Sequence, residues 1–131
     1  MIDRSNEVFN TVAKYLRSLY SNIQVIGEYV ETPAQFPTVT LDEIQNVPVY
    51  LDSGVNNKFA RVVYRCQVFC NGTGKRQKAR AIYDSLDRSL MGIGLFAKTY
   101  TTTPAIYNSE IYCITATYEC VIGEDGTIYR N

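Results

Sequence analysis

The sequence predicts a two-layer α+β domain, in which two helices cover one face of a largely antiparallel β-sheet. Three observations lead to this prediction: a helical apolar period near the N-terminus, a period of two from Lys58 to Asn71, and a second helical period after a glycine turn. A helix and a strand with matched apolar faces bury those faces against each other, which produces two layers. The predicted order of elements is α-β-β-β-β-α-β-β, followed by a short closing strand.

The first helix is predicted from about Asp3 to Tyr20, because apolar side chains recur there at three- and four-residue spacing. These residues are Val8, Val12, Tyr15, Leu16, Leu19 and Ile23. Strands are then predicted at Ile23 to Val30, Thr38 to Ile44 and Val47 to Leu51. Pro48 restricts the last of them to an edge or to its first residues, since proline cannot donate to a ladder.

A long strand from Lys58 to Asn71 and the helix after it form the predicted centre of the fold. The inward-facing residues of the strand are Ala60, Val62, Tyr64, Cys66, Val68 and Cys70; Arg61, Arg65 and Gln67 face outward. Asn71-Gly72-Thr73-Gly74 breaks the strand, because glycine and asparagine adopt turn angles that other residues avoid. The helix is predicted to bury Ala79, Ile82, Tyr83, Leu86 and Leu90, and to end at Gly92 and Gly94.

Two further long strands are predicted at Leu95 to Thr103 and Glu110 to Ile122, with a short strand at Thr127 to Tyr129. The second long strand presents alternate apolar residues to the helices. The opposite face of the sheet is predicted to be wettable. It carries Thr38, Thr40, Arg61, Arg65, Thr115, Thr117 and Glu119.

Length and charge restrict the class of protein. At 131 residues the chain is predicted to be one domain, residues 1–131, and its 13 basic and 13 acidic residues give zero formal net charge. A chain built to neutralise nucleic acid would carry excess positive charge. No apolar run approaches the length of a membrane span, and Met1-Ile2-Asp3-Arg4 lacks a signal-peptide core. We therefore expect synthesis in a cytoplasm and no membrane partner.

The residue types argue against catalysis and against a cofactor. The sequence has no histidine, which removes the commonest general base and a frequent zinc ligand, and its carboxylates form no obvious catalytic pair. The cysteines are Cys66, Cys70, Cys113 and Cys120, and none of them forms a Cys-x-x-Cys pair. Packing as free thiols is favoured over a disulfide or a metal site. We expect no enzymatic activity, no cofactor and no metal.

Gly72-Thr73-Gly74-Lys75 lies between a strand and a helix, where phosphate-binding loops occur. The spacing excludes a Walker loop, which needs glycine where Phe69 stands and serine or threonine where Arg76 stands. Lys75, Arg76 and Lys78 oppose the helix dipole. An anion, an acidic neighbouring surface or solvation of the turn would each offset that cost.

A polar loop from Asp52 to Asn57 is the remaining candidate for contacts with a partner. It is either a connector or a binding loop, and we expect it to be mobile in the free subunit because only Val55 has apolar surface to bury. The candidate interface residues are Asp52, Ser53, Gly54, Val55, Asn56, Asn57, Arg61, Arg65, Lys75, Arg76 and Lys78.

Several segments of the chain are similar to one known family. They are Phe36-Pro37-Thr38-Val39-Thr40-Leu41-Asp42-Glu43, then Tyr64 to Asn71 leading into Gly72-Thr73-Gly74-Lys75, the helix Ala79 to Met91, and the closing Ile111 to Tyr118 with Ile128-Tyr129-Arg130. In order and character they resemble the tail terminator (tail completion) proteins of tailed bacteriophages. The resemblance spans nearly the whole chain. One departure is Gly94-Leu95-Phe96, where the family pattern has phenylalanine directly after the glycine.

The resemblance implies a structural role. Proteins of this family are small α+β domains that assemble as a ring, typically a hexamer, on the head-proximal end of the finished tail tube. The ring ends tube polymerisation and offers the surface for head–tail joining. The implied partners are further copies of the chain, the tail tube protein and the head–tail connector or stopper protein, while DNA passes through the lumen without specific binding. The implied location is the tail or neck of a virion or tail-like particle, assembled in the cytoplasm of a bacterial host.

Three other functions stay open from the sequence. Another neck component, a head–tail stopper or adaptor, shares the virion setting and differs in its position. A small enzyme or ligand-binding α+β domain would need a pocket with convergent polar groups. A nucleic-acid binder would use Lys75, Arg76, Lys78 and Arg80, and its affinity would depend steeply on salt.

Overall fold

Two helices and six strands make up the part of the chain that the structure, a computed structural model, describes: residues 5–28, 33, 35–49, 59–93, 96–104, 111–123 and 128–129. The helices are α1 (Ser5–Leu19) and α2 (Lys75–Gly92). The strands are β1 (Gln24–Ile26), β2 (Thr38–Val49), β3 (Phe59–Asn71), β4 (Phe96–Pro104), β5 (Ile111–Gly123) and β6 (Ile128–Tyr129).

The six strands form one sheet in the order β1-β2-β3-β5-β4, and β6 pairs with the end of β5. β1 and β2 are parallel, and the other described pairs are antiparallel. β3 and β5 pair along their whole length, from Phe59 opposite Gly123 to Asn71 opposite Ile111. The predicted α+β class with a largely antiparallel sheet is confirmed, and the predicted long strands lie at its centre.

β2 corrects the predicted order of elements. The sequence predicts separate strands at Thr38 to Ile44 and Val47 to Leu51, whereas the structure has a single strand, β2. The pairing of β2 with β3 shifts between Glu43 and Gln45, so Ile44 is an extra residue in a bulge. A bulge interrupts the alternation of side chains without ending the strand, which explains why the pattern indicates two strands. Three strands therefore precede α2 in the described part of the chain, where four are predicted.

Both helices pack on one face of the sheet and bury an apolar core, as predicted. The helices contribute Val8, Val12, Ala13, Leu16, Ala79, Ile82, Tyr83, Leu86 and Leu90. β3 contributes all six of its predicted inward-facing residues, and β5 contributes Tyr112, Ile114, Ala116, Tyr118, Cys120 and Ile122. Tyr15 and Leu19 are exposed, because they lie at the margin of the apolar stripe of α1.

The turn before α2 needs its two glycines. Gly72 and Gly74 have φ angles of 79° and 75°, a left-handed conformation that other residues adopt only with strain. α2 ends at Gly92 as predicted, and the backbone N–H of Ile93 donates to the carbonyl of Leu90 at 3.2 Å. The other predicted end residue, Gly94, lies outside the described residues. Neither helix is both long and apolar enough to span a membrane.

A buried hydrogen-bonded group ties α2 to β5. The Tyr118 hydroxyl donates to Asp87 Oδ1 at 2.7 Å and lies 2.7 Å from the Tyr83 hydroxyl. Burial, together with these hydrogen bonds, raises the pKa of Tyr118 well above its usual range, so the phenol stays neutral. Because the side chain of Tyr118 is fully buried, this group fixes the position of the helix on the sheet.

The face of the sheet opposite the helices differs from the prediction. We call its polar residues Thr38, Thr40, Asp42, Arg61, Arg65, Gln67 and Glu119 the polar face. The sequence predicts a wettable surface here, but Thr38, Thr40, Gln67 and Glu119 are buried. One reason at the Thr38 end of this face is a second apolar cluster, formed by Phe69, Ile111 and Cys113 with Phe36 packed against it. This cluster draws the segment before β2 over the end of the sheet.

Candidate functional site

Arg61 and Arg65, two of the predicted interface residues, are bound to carboxylates of neighbouring strands. Arg65 donates two hydrogen bonds to Asp42, which lies directly opposite on β2: Nη2 to Oδ2 at 2.8 Å and Nε to Oδ1 at 3.4 Å. Arg61 Nε is 2.9 Å from Glu119 Oε1 on β5. Each of these positive charges is therefore offset within the subunit.

The remaining polar groups of the polar face also pair across strands. Thr40 Oγ1 donates to Oε1 of Gln67, directly opposite on β3, at 3.0 Å. Thr38 Oγ1 donates to the carbonyl of Gln35 at 2.6 Å and lies 3.1 Å from Gln24 Oε1. A buried polar group costs free energy unless it has such a partner. The polar face is thus held within the subunit rather than left open for a ligand.

Lys75, Arg76 and Lys78 form a separate basic group at the start of α2. Arg76 and Lys78 are exposed, and the first turn of the helix contains no acidic residue. The cap residue is Gly74, which has no side chain to make a capping hydrogen bond. Cations are unfavourable at a helix N-terminus, so these residues do not stabilise the helix. Their charge instead favours contact with an external anion or acidic group.

The structure does not bring the two predicted groups of cations together. Arg61 and Asn71 are ten residues apart on β3, which at about 3.3 Å per residue corresponds to roughly 33 Å. Lys75 begins α2 just after Asn71. The arginines of the polar face and the basic start of α2 are therefore different surfaces, and one partner group cannot contact both ends.

The third predicted candidate, Asp52 to Asn57, belongs to the connection between β2 and β3, which lies outside the described residues. The flanking strands show where that connection starts and returns. Val49 pairs opposite Phe59, so β2 and β3 are neighbours at this end of the sheet. The turn at Gly72, by contrast, follows the other end of β3.

The structure adds a surface that the sequence analysis misses. Ile44 and Val47 on β2 are 45% and 41% exposed, although both are large and apolar. β1 pairs with β2 only from Thr38 to Thr40, and beyond Thr40 no strand in the described ranges covers the outer edge of β2. Pro48 fits such an edge, as predicted. The sequence gives no clear signal for this surface, because the bulge at Ile44 appears only in the pairing of β2 with β3.

The four thiols are poorly placed to act as nucleophiles. All four cysteines are free and buried, and burial raises the pKa of Cys70 and of Cys120 to about 11. Thiols of this kind are poor nucleophiles at neutral pH, because the thiolate is the reactive form. Within the described ranges no three His, Cys, Asp or Glu residues are placed to hold a metal ion.

The chain is similar to solved structures in its fold. No protein-family model matches the sequence, and no curated protein matches it. A chain in a solved structure, "Virion of native gene transfer agent (GTA) particle", matches this fold with a TM-score of 0.62. The match covers 84% of this chain and 90% of that chain, at 15% sequence identity. At this identity the match shows a shared fold, and the fold extends over most of both chains.

Proposed function

We propose that this chain is a structural protein of a phage-like virion, and that it serves there as the tail terminator. In this role identical subunits form a hexameric ring on the head-proximal end of the tail tube, end its polymerisation and present the surface for head–tail joining. The observation that carries the proposal is the fold shared with a chain of a gene transfer agent virion. The sequence resemblance to tail terminators supports it independently.

The surface features suit a subunit of a closed ring. A ring is built from heterologous contacts, in which each subunit uses two different surfaces. The exposed Ile44 and Val47 and the basic start of α2 are two chemically different surfaces on one small domain. A subunit in a ring between tube and connector needs at least that many kinds of contact.

The distribution of charge suits a ring through which DNA passes. Arg61 and Arg65 are each bound to a carboxylate of the same subunit, and the formal net charge of the chain is zero. DNA is held mainly by unpaired cations that neutralise its phosphates. A lumen lined by these paired arginines would therefore let DNA slide, which agrees with passage without specific binding.

The experiment that tests the proposal measures tails made without this protein. Particles produced in a host that lacks its gene should carry tails of irregular, excessive length and no joined heads. Purified wild-type protein should restore a uniform tail length on addition during assembly. A stopper or adaptor gives a different outcome, because its loss leaves tails of normal length that fail to join heads. Normal, joined tails in the absence of the protein would refute both roles.

The predicted binding loop allows a second test of the same role. Deletion of Gly54 to Asn56 should leave the domain folded, because the polar loop has little apolar surface to bury. It should weaken attachment to tails if the loop contacts the tube or the neighbouring subunit. Thermal melting checks the fold, and the distribution of tail lengths checks the attachment. An unfolded deletion variant means that the loop is structural; normal tail lengths mean that it makes no essential contact.

A further inference from the structure

A cleft of about 380 Å³ opens beside the first turns of α2, where four parts of the chain meet. Tyr20 comes from the end of α1, Phe36 and Pro37 precede β2, and Cys70 ends the buried part of β3. The fourth wall is α2 itself, through Lys78 and its neighbours. The cleft exists only in the folded domain, which is why no single segment of the sequence indicates it.

The walls of the cleft combine apolar surface with positive charge. The apolar lining residues include Phe36, Pro37, Ala81 and Ile82. Lys78, an exposed residue of α2, supplies the charge, and the lining contains no acidic residue among those described. Lys75 lies three residues before Lys78, and residues three apart share a helix face. A second cation therefore stands on the side of α2 that faces the cleft.

We propose that this cleft binds an extended acidic segment of a protein partner. An apolar side chain of the segment enters the cleft, and a carboxylate two residues along contacts Lys78. Charge complementarity selects the acidic group, because the described lining offers a cation and no carboxylate to compete with it. In an extended segment side chains two residues apart point to the same side, so one residue fills the cleft while the second residue after it reaches the rim.

The shape of the cleft argues for a short extended segment rather than a helix. Its described lining is nine residues that surround one opening beside α2. Peptide segments that dock as helices need a longer groove with several anchor positions. A few extended residues match the space that the structure provides.

Nucleic acid fits this surface less well than a peptide does. DNA is bound through a row of cations along its phosphates. Arg76 and Arg80 are each two residues from Lys78, and residues two apart do not share a helix face. The cleft is therefore flanked by two cations rather than by a row of them, and its lining includes several apolar side chains. That the partner is another protein of the same particle rests on the proposed function; the chemistry of the cleft does not.

The first test uses peptides and the free protein. A terminally blocked peptide that carries leucine and glutamate in turn at every second position, with serine between them, is titrated into the isotope-labelled wild-type chain and followed by NMR. We expect shifts of the backbone amides of Lys78, Ala81 and Ile82, and binding weaker by about tenfold when glutamine replaces glutamate, because the charged contact is lost. Equal binding of the two peptides, or no shifts at these amides, would overturn the proposal. So would a short DNA duplex that shifts them when the acidic peptide does not.

Two charge-reversal variants on the same helix sharpen the test. Lys78→Glu should weaken binding of the acidic peptide on the order of tenfold, because an attraction becomes a repulsion. Arg76→Glu makes the same change of charge away from the cleft and should alter binding less than about twofold. Equal melting temperatures of the two variants show that both are folded. An equal loss of binding would mean that net charge, rather than the cleft, attracts the peptide.

The same variants separate this inference from the proposed function when they are added to tails. Wild-type protein and Arg76→Glu should be incorporated equally, and Lys78→Glu on the order of tenfold less. Equal incorporation of Lys78→Glu would refute the cleft as a docking site and leave the terminator role intact. If the wild-type protein itself does not join tails, the proposed function fails, and the peptide titration still decides whether the cleft binds an acidic segment.

Discussion

The two faces of the sheet are buried in different ways. On the helix face, Val62, Tyr64 and Ile114 are covered by apolar side chains of both helices. On the polar face, Gln67 and Glu119 are also buried, but each contacts a polar partner on a neighbouring strand. Apolar burial stabilises by about 25 cal/mol for each Å² removed from water. Paired polar groups add little net stability, yet each is costly if its partner is lost.

The two faces therefore contribute differently to the fold. The helix face supplies most of the folding free energy. The polar face specifies which residues lie opposite each other, because Thr40 meets Gln67 and Asp42 meets Arg65 in only one register. Four predictions follow the comparison from the face with the larger energies to the face with the smaller ones.

Leu86→Ala should destabilise the domain most. Leu86 is fully buried on α2, and a large-to-small change in a core costs about 2 to 5 kcal/mol because a cavity remains. Chemical denaturation measures the loss in free energy of unfolding. Met91→Ala, on an exposed position of the same helix, is the matched control and should cost less than about 0.5 kcal/mol. A loss near zero for Leu86→Ala would mean that α2 does not bury this face.

Tyr118→Phe should cost about 1.5 to 3 kcal/mol, because it removes the buried hydrogen bond to the Asp87 carboxylate together with the bond to the Tyr83 hydroxyl. Of these two bonds, Tyr83→Phe removes the one between neutral hydroxyls and should cost about 1 kcal/mol. Denaturation curves of both variants give the comparison. Equal losses would show that the hydrogen bond to Asp87 adds nothing measurable to the bond between the hydroxyls.

Stability should decrease at alkaline pH because of the buried thiols. The pKa values of Cys70 and Cys120 are about 11 in the folded chain against 9.0 for an unperturbed thiol. Their contribution is complete below pH 9.0 and is lost between pH 9.0 and about 11, since only the unfolded chain releases these protons there. Each thiol lowers the free energy of unfolding by about 1.4 kcal/mol per pH unit in this window. Replacing both by alanine should make the slope shallower by that amount per thiol; an unchanged slope would exclude these groups as its cause.

Arg61→Gln should have the smallest effect, a loss of about 1 kcal/mol. The side chain of Arg61 is 47% exposed, which limits its own contribution, but that of its partner Glu119 is only 8% exposed and would lose this ion pair. Arg76→Gln, at the exposed start of α2, should change stability by less than about 0.5 kcal/mol. If the two variants are equally stable, the polar face is as solvated as the sequence predicts, and its pairs contribute nothing measurable.

Periodicity within one segment predicts the helix face well. The alternation of β3 and the stripe of α2 identify the core residues, because the side chains of one element face one way at fixed spacing. The polar face depends on partners far apart in the sequence, such as Arg65 and Asp42, so it needs the register of two strands. Single-strand patterns also miss the bulge at Ile44 and the burial of Phe69, because both depend on neighbouring segments.

The candidate interface is likewise predictable from the sequence only in part. The basic residues at the start of α2 can be predicted as candidates from the sequence. Three cations at the N-terminus of a helix oppose its dipole, so they do not serve the stability of the helix itself. The apolar walls beside Lys78 are not, since Phe36 and Ile82 are brought together only by the fold. Arg61 and Arg65 stay predicted interface residues, and their ion pairs within the subunit are not revealed by the sequence of one strand.

The position of the protein in the particle tests the central claim most directly. Particles assembled with a tagged chain are labelled with a gold-conjugated antibody and imaged by electron microscopy. Densitometry of stained gels of isolated tails gives the number of copies of the chain in each tail. The terminator role predicts label only at the head-proximal end of the tail, on tails without heads as well as on complete particles. Label along the tube, at the distal tip, or on heads but not on free tails would contradict it.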